Sequence, residues 1–207
     1  KAYKKIWLDE GSPLLVYQRQ LQRALQLCLG EHYMVESGMR YGEPSISEAL
    51  YRLRQGDCSR LVILPLFPQY SSAATGSALE AVLKCLSKST YFEEIRCIND
   101  FYRLDAYVQS WASLLRQQWQ TAEWQHVLLS FHGLPSNQLI HKGKNINVSG
   151  CYKAQPCPEV SVFNRYCYRA QCYESSRLIA HAADLRESQY SVCFQSRIGK
   201  MPWIEPY

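Results

Sequence analysis

Residues 127–135 read VLLSFHGLP: an apolar run, Val127-Leu128-Leu129, ends in Ser130 and Phe131 and then meets His132, Gly133 and Pro135. An imidazole ordinarily titrates near neutrality, so at a strand end it can accept a proton or ligate a borderline metal such as iron(II). Gly133 lets a ligand approach the backbone closely, and Pro135 stiffens the exit. The competing reading is a turn that merely contains a histidine. A second group, Tyr70, Ser71, Ser72, Thr75 and Ser77, is a hydroxyl-rich stretch leading into a predicted helix. Hydroxyls and backbone N–H groups there suit a carboxylate or phosphate, and simple N-capping uses the same residues.

The third group is Cys151, Cys157, Cys167 and Cys172, four thiols within 22 positions with five, nine and four residues between them. Thiolates so spaced can converge on one metal centre. Sets of four cysteines hold zinc or an iron–sulfur cluster, but the tight C-x-x-C pairs of zinc ribbons are missing. The other five cysteines, Cys28, Cys58, Cys85, Cys97 and Cys193, stand singly in apolar stretches and read as small core residues. His32, His126, His141 and His181 read as surface or packing residues.

These groups need elements to hold them. Leu14, Tyr17, Leu21, Leu25 and Cys28 recur at helical spacing between Pro13 and Gly30, so residues 13–29 read as a helix. A strand is expected near 33–39. Ser45 with Glu48 is a capping box that opens a helix to about residue 55. Arg60 to Phe67 reads as a buried strand, followed by a helix over 76–88 and a strand over 94–98. Residues 103–120 read as a long helix with Tyr107, Trp111 and Leu114 on one stripe. A strand over 126–131, an irregular stretch, a helix near 170–183 and a strand over 190–195 complete the order. Strands alternating with helices, and too apolar for a half-exposed sheet, indicate parallel α/β layers. In such sheets ligands bind beyond the carboxyl ends of the strands, where both the His132 and the Tyr70 segments fall.

The chain has 207 residues, 47% apolar and 20% charged, with 23 basic against 18 acidic side chains and a net charge of +5. The basic residues are scattered, which favours carboxylated ligands or a lipid surface over nucleic acid. No run approaches membrane-span length, and no P-loop or G-x-G-x-x-G fingerprint occurs. Lys1 in place of Met, and an end at Tyr207 directly after Trp-Ile-Glu-Pro, make the chain read as a fragment.

The segments LLSFHGLP, LPLFPQYSSAATGS, GMRYGEPSISEAL and FQSRIGKMPWIEPY, with the opening KKIWLDEGSPLLVYQRQLQ, resemble the signature segments of the ferrochelatase family, in the family's order. The resemblance implies two Rossmann-like parallel-sheet domains of the chelatase fold facing across a porphyrin cleft, both incomplete here, as parts 1–92 and 93–207. It implies insertion of ferrous iron into protoporphyrin IX with release of two protons, a lyase reaction. The family's histidine, metal ligand or proton acceptor, falls on His132. Arg40 and Tyr41 match a pair lining the cleft, Tyr70, Ser71 and Thr75 match its propionate-side loop, and Met201 with Trp203 matches a pocket segment. Arg40 also suits a propionate through a bidentate pair.

Two departures matter. The family's N-terminal lip precedes Lys1, and its acidic helix follows the MPW segment beyond Tyr207, so no acidic partner is assigned. The isolated chain is expected to be inactive, with unpaired sheet edges, and a non-catalytic tetrapyrrole- or metal-binding module is the reading from another class. Coproporphyrin is the alternative substrate. Residues 144–168 read as an insertion where most family members have a short loop, and they resemble the class that binds a two-iron two-sulfur (2Fe-2S) cluster; zinc and free or disulfide-forming thiols remain alternatives. Cys172 is the weakest ligand of the four. A cytoplasmic protein with at most peripheral membrane contact is expected.

Overall fold

The computed structural model describes residues 5–88, 92, 94–121, 124–139 and 156–207. Cys151 and the first part of the predicted insertion lie outside the described residues. Among the described residues five α-helices and four strands follow in the order α1 Pro13–Leu29, α2 Ile46–Gln55, β1 Arg60–Ile63, α3 Ser77–Leu86, β2 Glu94–Cys97, α4 Asp105–Trp119, β3 Val127–His132, α5 Tyr168–Ala182 and β4 Tyr190–Gln195. A π-helical turn, Ser72–Gly76, precedes α3.

The strands form two parallel pairs. β1 pairs with β2, Arg60 opposite Glu94 through Ile63 opposite Cys97. β3 pairs with β4, Val127 opposite Tyr190 through His132 opposite Gln195. A parallel pair needs a crossover, and α3 and α5 lie in the two connections. This is the α/β class with small parallel sheets that the alternating periodicity predicts.

The chain divides into two compact units, one of Lys1–Leu64 and Ser77–Cys97, the other of Pro65–Gly76 and Ile98–Tyr207. In the first, Leu50, Leu61, Val82, Leu86 and Phe92 make the core. In the second, Leu134, Leu139, Cys172, Val192, Phe194 and Ile204 do so, with Phe131, Cys167, Tyr168 and Tyr173 packed against them.

Local signals fall where the side chains dictate. Ser12 caps α1 by accepting from Leu15 N at 3.3 Å, with Pro13 at its first position. Ser45 accepts from Glu48 N and its own N–H donates to Glu48 Oε2, each at 3.2 Å, completing the capping box of α2.

Four expectations are corrected. Residues 33–39 form no strand; their backbone is held instead by the Gln22 and Gln26 side chains of α1, which bond Val35 and Tyr33. Leu14, Tyr17 and Leu21 of α1 are exposed, and Val16 is the residue it buries. On α4, Val108 and Ala112 are buried while Trp111 and Leu114 are exposed. Cys28 and Cys97 are exposed, not core residues, and Cys58, Cys85 and Cys193 are half-buried. The physical reason is common to the last three. Periodicity marks a face as apolar, but a face is buried only where another element covers it.

Candidate active site

His132 is the last residue of β3, and its side chain faces solvent. The backbone at His132 and just beyond it is held from three directions. The Tyr168 hydroxyl donates to the His132 carbonyl at 3.0 Å. The next N–H, Gly133, donates to Gln195 O at 2.7 Å. Beyond it, Pro135 bridges to Trp203, Ser136 N donates to Pro202 O at 2.9 Å, and Ile204 N donates to Leu134 O at 3.0 Å.

The histidine segment is therefore zipped onto the Pro202–Ile204 segment. Gly133 makes the zipper possible, because a Cβ there would stand 2.8 Å from Gln195 O and 3.3 Å from Trp203 Cε3. Trp203 is buried and donates from Nε1 to Ile198 O at 3.0 Å, while Met201 is exposed.

Tyr70, Ser71, Ser72 and Thr75 of the hydroxyl-rich stretch lie in the same unit, while Ser77 belongs to the other. Ser71 is buried and its Oγ accepts from Ala74 N at 3.2 Å, so its hydroxyl serves the turn. Thr75 is fully buried and its Oγ1 has no hydrogen-bond partner among the described residues. Tyr70 is half-buried, and its N–H donates to Gln171 Oε1 at 2.7 Å. Arg40 and Tyr41 belong to the other unit. There the Arg40 guanidinium sits 4.7 Å from the centre of the Tyr41 ring and its Nε donates to Ser77 Oγ at 3.2 Å, with Tyr41 78% exposed.

Cys157, Cys167 and Cys172, the described cysteines of the group, lie near the start of α5. Cys167 is its N-cap residue, and Cys157 and Cys172 are buried. Burial pushes the Cys172 thiol well above its ordinary range; the nearby Tyr168 hydroxyl opposes the shift, and the Cys167 and Cys157 thiols add to it. The Tyr168 phenol is raised too, first by burial and then by Cys172. The Cys157, Cys167 and Cys172 side chains thus lie close enough to influence one another. Among the described residues, however, no group of three or more His, Cys, Asp or Glu side chains is arranged to hold a metal ion.

The residues that sequence reading passed over are polar side chains on the first turn of α5. Arg169 is 1% exposed, donates from Nε to Glu205 O at 3.0 Å and lies 4.7 Å from the Tyr173 ring centre. Gln171 is 0% exposed. In the sequence they are an ordinary Arg and Gln beside a cysteine; only their place on a buried helix face distinguishes them.

A strand-end histidine beside a Trp-bearing segment, on a scaffold of parallel strands and helices, places the chain in the α/β class, and comparison narrows it. The family model described as Ferrochelatase matches residues 1–207. Curated ferrochelatases of Coxiella burnetii (strain CbuG_Q212) and Legionella pneumophila (strain Corby) are 43% and 46% identical to it over the whole of this chain. The chain belongs to the ferrochelatase family. It spans 57% and 60% of the length of those two relatives.

Proposed function

We propose that the protein to which this chain belongs is a lyase that inserts Fe2+ into protoporphyrin IX. The supporting observation is His132: an exposed imidazole at the carboxyl end of a parallel strand, with its carbonyl bonded by Tyr168 and the residues after it bonded to neighbouring segments, in a chain matching the ferrochelatase family throughout. Pyrrole N–H groups are very weak acids, so a base must stand beside the macrocycle and the ring must be distorted to expose its nitrogens. One imidazole can receive a pyrrole proton or guide a partly dehydrated ferrous ion without sequestering it. Trp203 and Met201 supply apolar wall for a flat ring, and Arg40, Tyr41, Tyr70, Ser71 and Thr75 are read as lining the porphyrin site.

We read the two compact units as parts of two Rossmann-like domains; the pairing of β1 with β2 supports taking the first through Cys97. Among the described residues no helix is long and apolar enough to cross a membrane. A cytoplasmic protein with at most peripheral membrane contact is the reading we adopt.

The test is haem formation by the full-length protein from Fe2+ and protoporphyrin under anaerobic conditions, with coproporphyrin in a parallel arm. His132→Ala should lose at least about 100-fold in kcat. A variant that chelates at the parent rate ends His132's role. Faster turnover with coproporphyrin reassigns the substrate.

The cysteine segment is proposed to hold a 2Fe-2S cluster through Cys151, Cys157, Cys167 and Cys172. The support is the count of thiols and the burial of Cys157 and Cys172. The role would be structural or sensory, because iron insertion involves no net redox change. An anaerobic visible spectrum with iron and acid-labile sulfide analysis should show the cluster, and Cys157→Ser should lose it. A colourless protein without sulfide removes the cluster, and bound zinc would replace it.

A further inference from the structure

The first turn of α5 does something that the residues of the proposed site do not do for themselves. Tyr168 and Gln171, one helical turn apart, each bond to backbone in a candidate site segment. The Tyr168 hydroxyl bonds the His132 carbonyl at 3.0 Å. The Gln171 amide is a two-ended clamp: Oε1 accepts from Tyr70 N at 2.7 Å, and Nε2 donates to Arg165 O at 2.7 Å. Arg165 lies between Cys157 and Cys167, and the helical turn itself lies between Cys167 and Cys172. Helix spacing makes the arrangement possible, because residues three apart share a face.

Gln171 is fully buried, so its amide must find partners within the protein, and a side chain that lacks one end or the other of this reach leaves a buried N–H or C=O unpaired. Tyr70 cannot shift without breaking a bond to a helix that is itself anchored in the core by Cys172.

We propose that Tyr168 and Gln171 are positioning residues for iron insertion: Tyr168 sets the backbone beneath His132, and Gln171 holds the Tyr70 loop in register with the cysteine segment. The inference rests on the ferrochelatase reading above and adds to it two residues that touch neither metal nor porphyrin. The two bonds serve different segments, so their losses should read out differently. Loosening the backbone under His132 affects the chemical step; loosening the Tyr70 loop affects porphyrin capture.

The test uses the full-length protein and compares Tyr168→Phe, Gln171→Met and Ile179→Val, a packing change further along α5. Iron-insertion kinetics, porphyrin affinity by fluorescence quenching and melting temperature are measured for each. Tyr168→Phe should lower kcat about 10-fold with the porphyrin KM within about twofold, and Gln171→Met should raise KM and the porphyrin Kd about 10-fold with kcat within about twofold. Ile179→Val should lower the melting temperature and leave both kinetic parameters near the parent values. If Gln171→Met does not fold, Gln171→Asn, which keeps the amide and shortens its reach, takes its place with the same expectation.

Variants of both positions with parent kinetics overturn the inference alone. So does Ile179→Val reproducing their kinetic pattern, which would reduce the effect to loss of stability. A parent protein that neither binds porphyrin nor inserts iron overturns the ferrochelatase reading and this inference with it.

Discussion

Gly133 is where a single missing atom shapes the site. Any Cβ there would stand 2.8 Å from the carbonyl oxygen of Gln195, a backbone atom that cannot swing aside. Gly133→Ala should therefore cost about 1–3 kcal/mol, read by denaturant unfolding, and should open the zipper between Pro135 and Trp203. An unchanged midpoint would mean that β4 yields without penalty. Asp100 shows the opposite case, a residue working against its surroundings. Burial raises its carboxyl above the ordinary range, and Arg103 pulls it partly back. The folded state then holds the proton more tightly than the unfolded chain. Its contribution is fully favourable below the ordinary carboxylate pKa of about 3.9 and is lost as pH rises through the raised value. Asp100→Asn, which cannot ionise, should melt above the parent at about pH 7, the gap closing toward about pH 4. A gap independent of pH would point to packing instead.

At the scale of elements, short helices depend on their ends. α2 has 10 residues, too few to be stable on propensity alone, and its capping box satisfies backbone donors that would otherwise lack partners. Ser45→Ala should cost about 1 kcal/mol in thermal or chemical unfolding. Ser45→Asn, which restores a side-chain acceptor, should recover most of it. If both variants matched the parent, α2 would be held by Ala49 and Leu50 in the core and not by its cap. α5 is a different kind of helix. Its buried face includes Arg169, Gln171, Ser175 and Ser176, so it serves as a polar bracket as well as a hydrophobic layer.

Across the whole molecule, the described strands leave apolar faces open. Leu128 on β3 is 67% exposed and Val62 on β1 is 57% exposed. Parallel sheets are ordinarily covered on both faces, so such side chains await a covering layer. The 207-residue polypeptide expressed on its own should bind an apolar dye and self-associate in sedimentation experiments. Val62→Thr with Leu128→Thr should reduce both signals. A monodisperse, dye-negative parent would show that these faces are covered by some rearrangement of the chain itself.

Local pattern along the chain accounts for the α/β class, the order of helices and strands apart from the strand expected at 33–39, the glycine that ends α1, the capping box of α2, and His132 at a strand end. These rest on local spacing and on single side chains bonding their own backbone, which a linear pattern records. The family was legible for the same reason, through contiguous segments in order. Which apolar stripes are buried is set by tertiary packing, because Leu14 and Trp111 have the periodicity of core residues and are nevertheless exposed. That packing alone joined Gly133 to Gln195, Tyr168 to His132 and Gln171 to Tyr70, pairs separated by 62, 36 and 101 positions. Bonds of that span depend on how helices dock on strands. No spacing along the chain encodes them, and a buried glutamine looks like an exposed one until its partners arrive.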